Sequence, residues 1–215
     1  MKKIIKVRNF YRDTLRYFIN KNKRKKLTNK SFTLLSSNCT GGVIYHQLGL
    51  EFTSPTINLY MNPSDFIKFC ANLKFYLGLE LEEVKDKKYN YPIAKLEDIT
   101  IHMVHYNSFI EAKQKWNERK KRINFENIYI ICLERDGCSY EDIEAFDKLP
   151  FRNKVIFVKE DMPNIKSALY LPNSSNNYEV TDLAKCYSVF NVQQPLDGFD
   201  YVSWFNNGEI GLIKN

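Results

Sequence analysis

The sequence has no run of about 18 consecutive apolar residues, so we predict no membrane-spanning helix. Its lysine-rich start is not followed by an apolar core, and we therefore expect no secretory signal peptide. Internal repeats and low-complexity segments are absent as well. The sequence is typical of a globular protein, because 215 residues of which 44% are hydrophobic can bury one substantial core.

Cysteines are few, and their spacing forms no motif. The five cysteines are Cys39, Cys70, Cys132, Cys138 and Cys186. An odd number without any Cys-x-x-Cys spacing favours neither a disulfide framework nor a zinc site. We therefore expect a protein of a reducing compartment, the cytoplasm, that holds no metal.

Excess positive charge is absent from most of the chain, although the net charge is +7. Residues 1–30 contain twelve Lys or Arg residues and a single acidic one, Asp13. The other 185 residues carry 20 basic and 24 acidic side chains, a net charge of −4. The body of the protein is therefore not basic, and we expect no nucleic-acid partner.

Residues 1–27 have the pattern of a basic amphipathic helix, with apolar side chains at every third or fourth position. The apolar set is Val7, Phe10, Tyr11, Leu15, Phe18 and Ile19. Such a helix can lie on an anionic membrane surface, or it can pack on the protein with its charged face in solvent, and the pattern leaves both open. We divide the chain into this helix, residues 1–30, and a single α/β domain, residues 31–215.

Residues 32–50 predict a strand, a tight turn and a helix. An apolar segment gives way to small polar residues around Asn38 and Cys39, then to Gly41, Gly42 and a helical pattern. Glycines permit positive φ and close approach of backbone N–H groups to a ligand, and a helix N-terminus favours an anion. The pKa of a cysteine thiol at such a place can be lowered enough to form a thiolate nucleophile, and a buried turn cysteine is the alternative.

The rest of the domain alternates strands and helices. We predict strands at 99–104, 127–133, 154–158 and 168–171, and helices at 109–122, 140–148, 182–187 and 197–206. The nearly all-apolar segment 127–133 is typical of a central parallel strand, and it forms a βαβ unit with the next helix and strand. The predicted fold is therefore α/β, a mostly parallel sheet flanked by helices in a Rossmann-like three-layer arrangement, preceded by the basic helix.

Several polar side chains flank these elements and are candidates for catalysis or binding. His102 lies on a predicted strand and His105 at its end, so the two fall on opposite faces, form a poor metal pair, and cannot both face one cleft. Arg119 and Arg122 lie on one side of a helix, where guanidinium groups suit phosphates. The loop after the central strand contains Asp136, at the sheet edge where α/β proteins place ligand contacts.

Two polar stretches of the sequence resemble a known family. The first contains Ser37, Asn38, Cys39, Thr40, Gly41, Gly42, Tyr45, Leu48, Gly49, Leu50, Ser54, Pro55, Asp65 and Phe66. The second contains His105, Tyr106, Asn107, Ser108, Phe109, Glu111, Ala112, Lys115, Trp116, Arg119, Arg122, Ile123 and Asn124. In this order they resemble the DUF1919 family, a group found among bacterial capsule and exopolysaccharide genes, over residues 31–157.

The resemblance implies an α/β protein of surface polysaccharide assembly, and family members are often labelled acetyltransferases. We expect transfer of an acetyl group from acetyl-CoA to a hydroxyl of a saccharide or lipid-linked saccharide. Cys39 would be the nucleophile, and His105 or His102 the base. The binding residues of this hypothesis are Asn38, Gly41, Gly42, Lys115, Trp116, Arg119, Arg122 and Asp136, with the glycine N–H groups holding an oxyanion.

Two other functions stay open at this point. A metal-independent glycosyltransferase would bind the diphosphate of a nucleotide sugar at the turn of residues 38–42, here called the corner, and would use Asp136 or Glu134 as base. The sequence has no Asp-x-Asp pair for a metal-dependent version. A non-catalytic module of a polysaccharide assembly complex would need the corner for structure only. In each case we expect a cytoplasmic protein, and association with an anionic membrane through residues 1–27 stays one of the two interpretations of the basic helix.

Overall fold

A computed structural model describes residues 2–188 and 191–213, and for residues 2–9 the backbone only. The strands are β1 (Thr33–Ser36), β2 (Glu82–Val84), β3 (Ile93–Leu96), β4 (Ile99–His102), β5 (Ile128–Leu133), β6 (Asn153–Val158) and β7 (Ala168–Tyr170). The helices are α1 (Lys2–Lys26), α2 (Thr40–Leu48), α3 (Pro63–Ala71), α4 (Leu73–Gly78), α5 (Phe109–Lys120), α6 (Tyr140–Asp147) and α7 (Tyr201–Asn207), and a 3₁₀ turn covers Pro195–Gly198.

The main sheet contains four parallel strands in the order β1-β5-β6-β7. Leu35 of β1 lies opposite Ile130 of β5, and Ile131 of β5 lies opposite Val155 of β6. Every residue of β5 is buried, because both faces of the sheet are covered by other elements. The predicted βαβ unit of β5, α6 and β6 is confirmed.

Side chains of the main sheet alternate between two hydrophobic cores. Ile130 and Cys132 face a core shared with α3, α4, α5 and α6, whereas Tyr129 and Ile131 face a core shared with α2 and α7. Helices therefore cover both faces of the sheet. The predicted three-layer α/β fold is confirmed.

A second sheet, antiparallel and in the order β2-β3-β4, was not predicted as a separate unit. Tyr60 connects it to the main sheet, because its backbone exchanges two hydrogen bonds with His102 of β4, at 2.9 and 2.8 Å. The next residue, Met61, donates to the carbonyl of Ser37 at 2.9 Å, directly after β1. This connection brings the end of β4 to the carboxyl end of β1.

The predicted helix at 182–187 is wrong, because this segment forms turns and bends. The Asp182 carboxylate accepts a hydrogen bond from the Ala184 N–H at 2.9 Å. A local side-chain bond of this kind favours a turn over a helix. The terminal helix begins later than predicted, at Tyr201, where Asp200 caps it by accepting from the Ser203 N–H at 3.0 Å.

α1 packs on the α/β domain through charged side chains. Arg16 and Lys23 both donate to Asp197 in the 3₁₀ turn, and the distance from Lys23 Nζ to Asp197 Oδ1 is 2.6 Å. Arg24 donates to the carbonyls of Gln47 and His46 at the end of α2, at 2.8 and 3.1 Å. Of the helices described, none is both long enough and apolar enough to cross a bilayer.

Candidate active site

The site lies at the carboxyl ends of β1 and β5, where a parallel α/β sheet places its ligands. Asn38 accepts a hydrogen bond from the Thr40 N–H at 3.0 Å and so fixes the turn that enters α2. Cys39 is the N-cap residue of that helix. The Asn38–Cys39 turn therefore holds the thiol at the positive end of α2.

Gly41 and Gly42 lie within the first turn of α2, so the prediction that they adopt positive φ is wrong. Gly41 is needed for close packing instead, because a Cβ added there would lie 2.7 Å from the Cβ of Ser36. Within the described chain, the N–H groups of Gly41 and Gly42 have no hydrogen-bond partner. They are thus free to donate to a ligand beyond the helix N-terminus.

We expect Gly41→Ala to lower the free energy of unfolding by about 1–3 kcal/mol, because β1 and α2 must move apart to admit the methyl group. Gly78→Ala is the matched control, since nothing lies within 4 Å of its added Cβ and its φ is not positive. Urea unfolding of both variants tests this expectation. Equal stability of Gly41→Ala and the native protein would contradict it.

The thiol of Cys39 is paired with an imidazole from a distant part of the chain. His105 Nε2 lies 3.0 Å from Cys39 Sγ, within hydrogen-bond distance. Cys39 is half-buried and His105 is exposed, so a substrate can reach both groups. The two residues form a thiol–imidazole dyad, the arrangement that pairs a nucleophile with its base in nucleophilic catalysis.

A buried arginine, Arg119, holds the loop that contains His105. Arg119 Nη1 donates to the Tyr106 hydroxyl at 2.7 Å and to the Ile57 carbonyl at 3.0 Å. Its guanidinium carbon also lies 5.2 Å from the centre of the Phe52 ring. Arg119 was predicted to bind ligand; the structure places it below the site, where it orients the residue next to His105.

Burial raises the pKa of the Cys39 thiol, the Asp182 carboxylate raises it further, and the Arg135 guanidinium opposes both. Of the two interpretations left open for Cys39, the one with a lowered pKa is therefore contradicted. Desolvation disfavours the thiolate more than the neighbouring positive groups favour it. A raised pKa favours the thiol over the thiolate, so a nucleophilic role of Cys39 would require a base to remove the proton.

The dyad lies where two clefts meet. The first has a volume of about 530 Å³ and is lined by Asn38, Cys39, Thr40, Val43, Tyr60, His105, Leu133, Arg135, Asp136, Asp182, Leu183 and Ala184. The second, of about 840 Å³, extends from the dyad to α1, which contributes Arg12, Asp13, Arg16, Tyr17, Asn20 and Arg24 to its wall. One cleft is thus lined mostly by the sheet edge, and the other has a basic wall.

Tyr60, Arg135 and Asp182 are among the residues of the first cleft that the sequence did not assign to the site. Arg135 forms an ion pair at 2.9 Å with Asp136, which was predicted to bind ligand. Its position next to Asp136 in the sequence could therefore have indicated that Arg135 lies at the site. Burial, with the Asp136 charge nearby, raises the pKa of the Tyr60 hydroxyl to about 12. Asp182 follows no strand and no motif, and nothing in the sequence connects it with Cys39.

His102 does not line either cleft around Cys39. It is buried among tyrosine rings, with ring centres 5.1 Å from Tyr60, 5.2 Å from Tyr89 and 6.0 Å from Tyr91. Burial lowers its pKa, against the opposing charges of nearby carboxylates. Of the two histidines predicted as alternative bases, the structure brings only His105 to the thiol.

Three further predicted binding residues lie away from both clefts. Trp116 is 2% exposed and packs in the hydrophobic core. Lys115 forms an ion pair with Glu118 at 3.0 Å on the same helix. Arg122 donates to the Phe52 carbonyl at 3.2 Å and pairs with Glu51.

Glu134 was an alternative base in the glycosyltransferase hypothesis, and it is buried. Its two carboxylate oxygens bind the backbone N–H and the ammonium group of Lys159, at 2.8 and 2.9 Å. It therefore joins the ends of β5 and β6. The part of the chain that the structure describes contains no cluster of three or more His, Cys, Asp or Glu side chains that could hold a metal.

Comparison with known proteins agrees with the resemblance seen in the sequence. The profile of a family described as "Domain of unknown function (DUF1919)" matches residues 10–206. An "Uncharacterized protein" of Haemophilus influenzae is 43% identical over 192 residues, which cover 89% of this chain and 92% of that protein. The match covers the dyad, both clefts and most of α1, and the chain belongs to the DUF1919 family.

Proposed function

We propose that this protein is an acyltransferase of bacterial surface polysaccharide assembly, which moves an acetyl group from acetyl-CoA to a sugar hydroxyl. The main support is the 3.0 Å contact between Cys39 Sγ and His105 Nε2 in an open cleft at the carboxyl end of the sheet. A thiol with a raised pKa has little reactivity unless a base is in contact with it, and His105 is such a base.

In the first half-reaction His105 Nε2 takes the thiol proton as Cys39 Sγ forms a bond to the acetyl carbonyl carbon. The oxyanion that results lies at the N-terminus of α2, where the N–H groups of Gly41 and Gly42 can donate to it. The carbon–sulfur bond of the donor then breaks, and His105 returns the proton to the departing CoA thiolate. The acetyl group is left as a thioester on Cys39.

In the second half-reaction His105 takes the proton from the acceptor hydroxyl, whose oxygen attacks the Cys39 thioester. The bond to Sγ breaks, and His105 protonates the released sulfur. A direct variant omits the thioester, with His105 deprotonating the acceptor while the donor is attacked in one step. Both variants need His105, and only the first needs the sulfur of Cys39.

The second cleft is the better place for the CoA phosphates than the predicted Arg119 and Arg122. Arg119 is buried below the site, and Arg122 lies outside both clefts. Arg12, Arg24 and Lys185 line the second cleft beside Cys39 and can meet phosphate oxygens. The acceptor would then approach through the first cleft, next to Asp136 and Asp182.

Those two carboxylates are also the observation that favours the alternative, a metal-independent glycosyltransferase. Asp136 or Asp182 would serve as base for the acceptor hydroxyl, and the arginines would bind the diphosphate of the nucleotide sugar. A non-catalytic role in a polysaccharide assembly complex would need neither the dyad nor the clefts. The five free cysteines are consistent with the proposed cytoplasmic location.

We expect acetyl-CoA, without acceptor, to place one acetyl group on Cys39, which intact-protein and peptide mass spectrometry would detect. Cys39→Ala should stay unlabelled. Cys138→Ser should be labelled like the native protein, since Cys138 is a half-buried thiol outside both clefts.

The melting temperature should rise with acetyl-CoA and stay constant with nucleotide sugars, because a ligand that binds only the folded state stabilises it. The reverse pattern of shifts would favour the glycosyltransferase, and no shift with either class would favour the non-catalytic role.

A further inference from the structure

α1 presents two chemically different faces. Towards the α/β domain it is polar, where Arg16 and Lys23 bind Asp197. Away from the domain it holds aromatic side chains in solvent, with Phe10 74% and Phe18 56% exposed, and Tyr17, 52% exposed, lies at the edge of this face and also borders the second cleft. An amphipathic helix ordinarily buries its apolar face against its own domain. In this protein Leu15 and Ile19 are half-buried, whereas the polar anchors leave the aromatic rings of α1 in solvent.

Lysines surround the exposed rings. Lys21 lies three to four residues from Tyr17 and Phe18, and Lys25 lies four residues beyond Lys21, so both lysines lie on the same side of the helix as the rings. Lys21 Nζ lies 5.8 Å from the centre of the Tyr17 ring. Within the described ranges no carboxylate forms an ion pair with Lys21, Lys25 or Lys26. The face thus combines exposed aromatic rings with uncompensated positive charge.

We propose that this face of α1 binds the surface of an anionic lipid bilayer, with the helix axis parallel to the membrane. The rings would enter the headgroup layer, and the lysines would bind the lipid charges. The charge distribution matches this orientation, because residues 1–30 carry a net charge of +11 and the rest of the chain −4. An anionic surface attracts the helix and repels the body, whereas a second copy of the chain would set two basic faces against each other.

The opposite side of α1 lines the second cleft, with Arg12, Arg16 and Arg24 in its wall. The bilayer and the cleft would therefore lie on two sides of one helix, about 10–12 Å apart. This placement suits an acceptor whose saccharide is joined to a lipid, and that consequence rests on the proposed function. Membrane binding itself does not depend on the chemistry of the dyad.

Cosedimentation of the full chain with lipid vesicles tests the proposal, without donor or acceptor. We expect retention on phosphatidylcholine vesicles that contain phosphatidylglycerol, and not on phosphatidylcholine alone. The bound fraction should fall as salt is raised, because exposed charges are screened within about 10 Å at 0.1 M salt.

Two double variants separate the contribution of the lysines to membrane binding from that of the aromatic rings. Lys21→Gln with Lys25→Gln should weaken binding about 25-fold, from roughly five-fold for each lysine. Phe10→Ser with Phe18→Ser should weaken it about ten-fold, because the aromatic area no longer leaves water. Phe75→Ser is the matched control for the rings, being also 56% exposed but on α4, and Lys85→Gln with Lys87→Gln is the control for charge. Neither control should change binding.

Several results would overturn the proposal. They are equal retention on neutral and anionic vesicles, equal weakening by Phe75→Ser, or no retention on anionic vesicles at low salt. Binding to a nucleic acid without vesicle binding, or a dimer abolished by the Phe10 and Phe18 changes, would assign the face to that other partner. The replaced side chains are exposed, so unchanged melting temperatures would show that the variants are folded.

Discussion

Cys39→Ala is expected to lower the rate of acyl transfer by about 10³-fold or more, because it removes the nucleophile that lies 3.0 Å from His105 Nε2. His105→Gln should lower the rate by about 10²–10⁴-fold, because the raised pKa of Cys39 leaves the thiol protonated unless a base is present. The double variant should be no slower than the worse single variant, since the two groups act together. Values of kcat/KM from a chromatographic product assay give all three comparisons.

Cys138→Ser is the control for loss of a thiol and should keep full activity. Cys39→Ala with full activity would eliminate the thioester intermediate, because alanine offers no nucleophile, and would leave the direct variant, in which His105 acts on the acceptor. His105→Gln with full activity would contradict both variants. Loss of activity in Cys39→Ala with an unchanged melting temperature would separate a chemical role from a packing role.

The fold could be predicted wherever burial determines the residue pattern. Residues 127–133 are nearly all apolar because β5 (Ile128–Leu133) is covered on both faces, and a continuous apolar run of this length is typical of a strand buried in this way. Ser108 and Ser139 directly precede the predicted helices 109–122 and 140–148, and both accept capping hydrogen bonds from the first turns of α5 and α6. The pairing of β2 with β3 was not predictable, because β2 is short and polar and gives no period of two.

The site could be predicted in part, because Cys39 and His105 each follow the end of a strand. Their contact spans 66 positions and depends on the backbone bridge between Tyr60 and His102, which no local pattern indicates. The sign of the Cys39 pKa shift depends on burial and on Asp182, both tertiary properties. Arg119 and Trp116 were assigned to ligand because sequence alone does not distinguish a buried face from a polar one on a short helix.

Asp197 holds α1 against the α/β domain by binding two cations at once. Its Oδ1 accepts from Lys23, and its Oδ2 accepts from Arg16 and, at 2.9 Å, from the Gln194 N–H. The side chains of Arg16, Lys23 and Asp197 are 9%, 13% and 16% exposed. Burial alone would raise the pKa of Asp197, but the charges of Lys23 and Arg16 outweigh it and hold that pKa below its ordinary value.

We therefore expect Asp197→Asn to lower the free energy of unfolding at pH 7 by about 3 kcal/mol, because it leaves two cations close together and poorly solvated. A carboxylate with a lowered folded-state pKa stabilises the protein above its unfolded pKa of about 3.9 and loses that effect as the pH falls through the folded value. The difference between the native protein and the variant should thus be constant near neutral pH and shrink in acid. Urea unfolding at several pH values measures it.

Asp98→Asn is the control for this experiment, since Asp98 also has a lowered pKa, through hydrogen bonds from Tyr76 and Lys68, but lies exposed at the surface. Its replacement should change stability little.

Asp197→Asn should also raise the KM for acetyl-CoA with little effect on the rate of Cys39 acetylation at saturation, because α1 forms the basic wall of the second cleft. A stable Asp197→Asn variant with an unchanged KM would show that other contacts hold α1 in place.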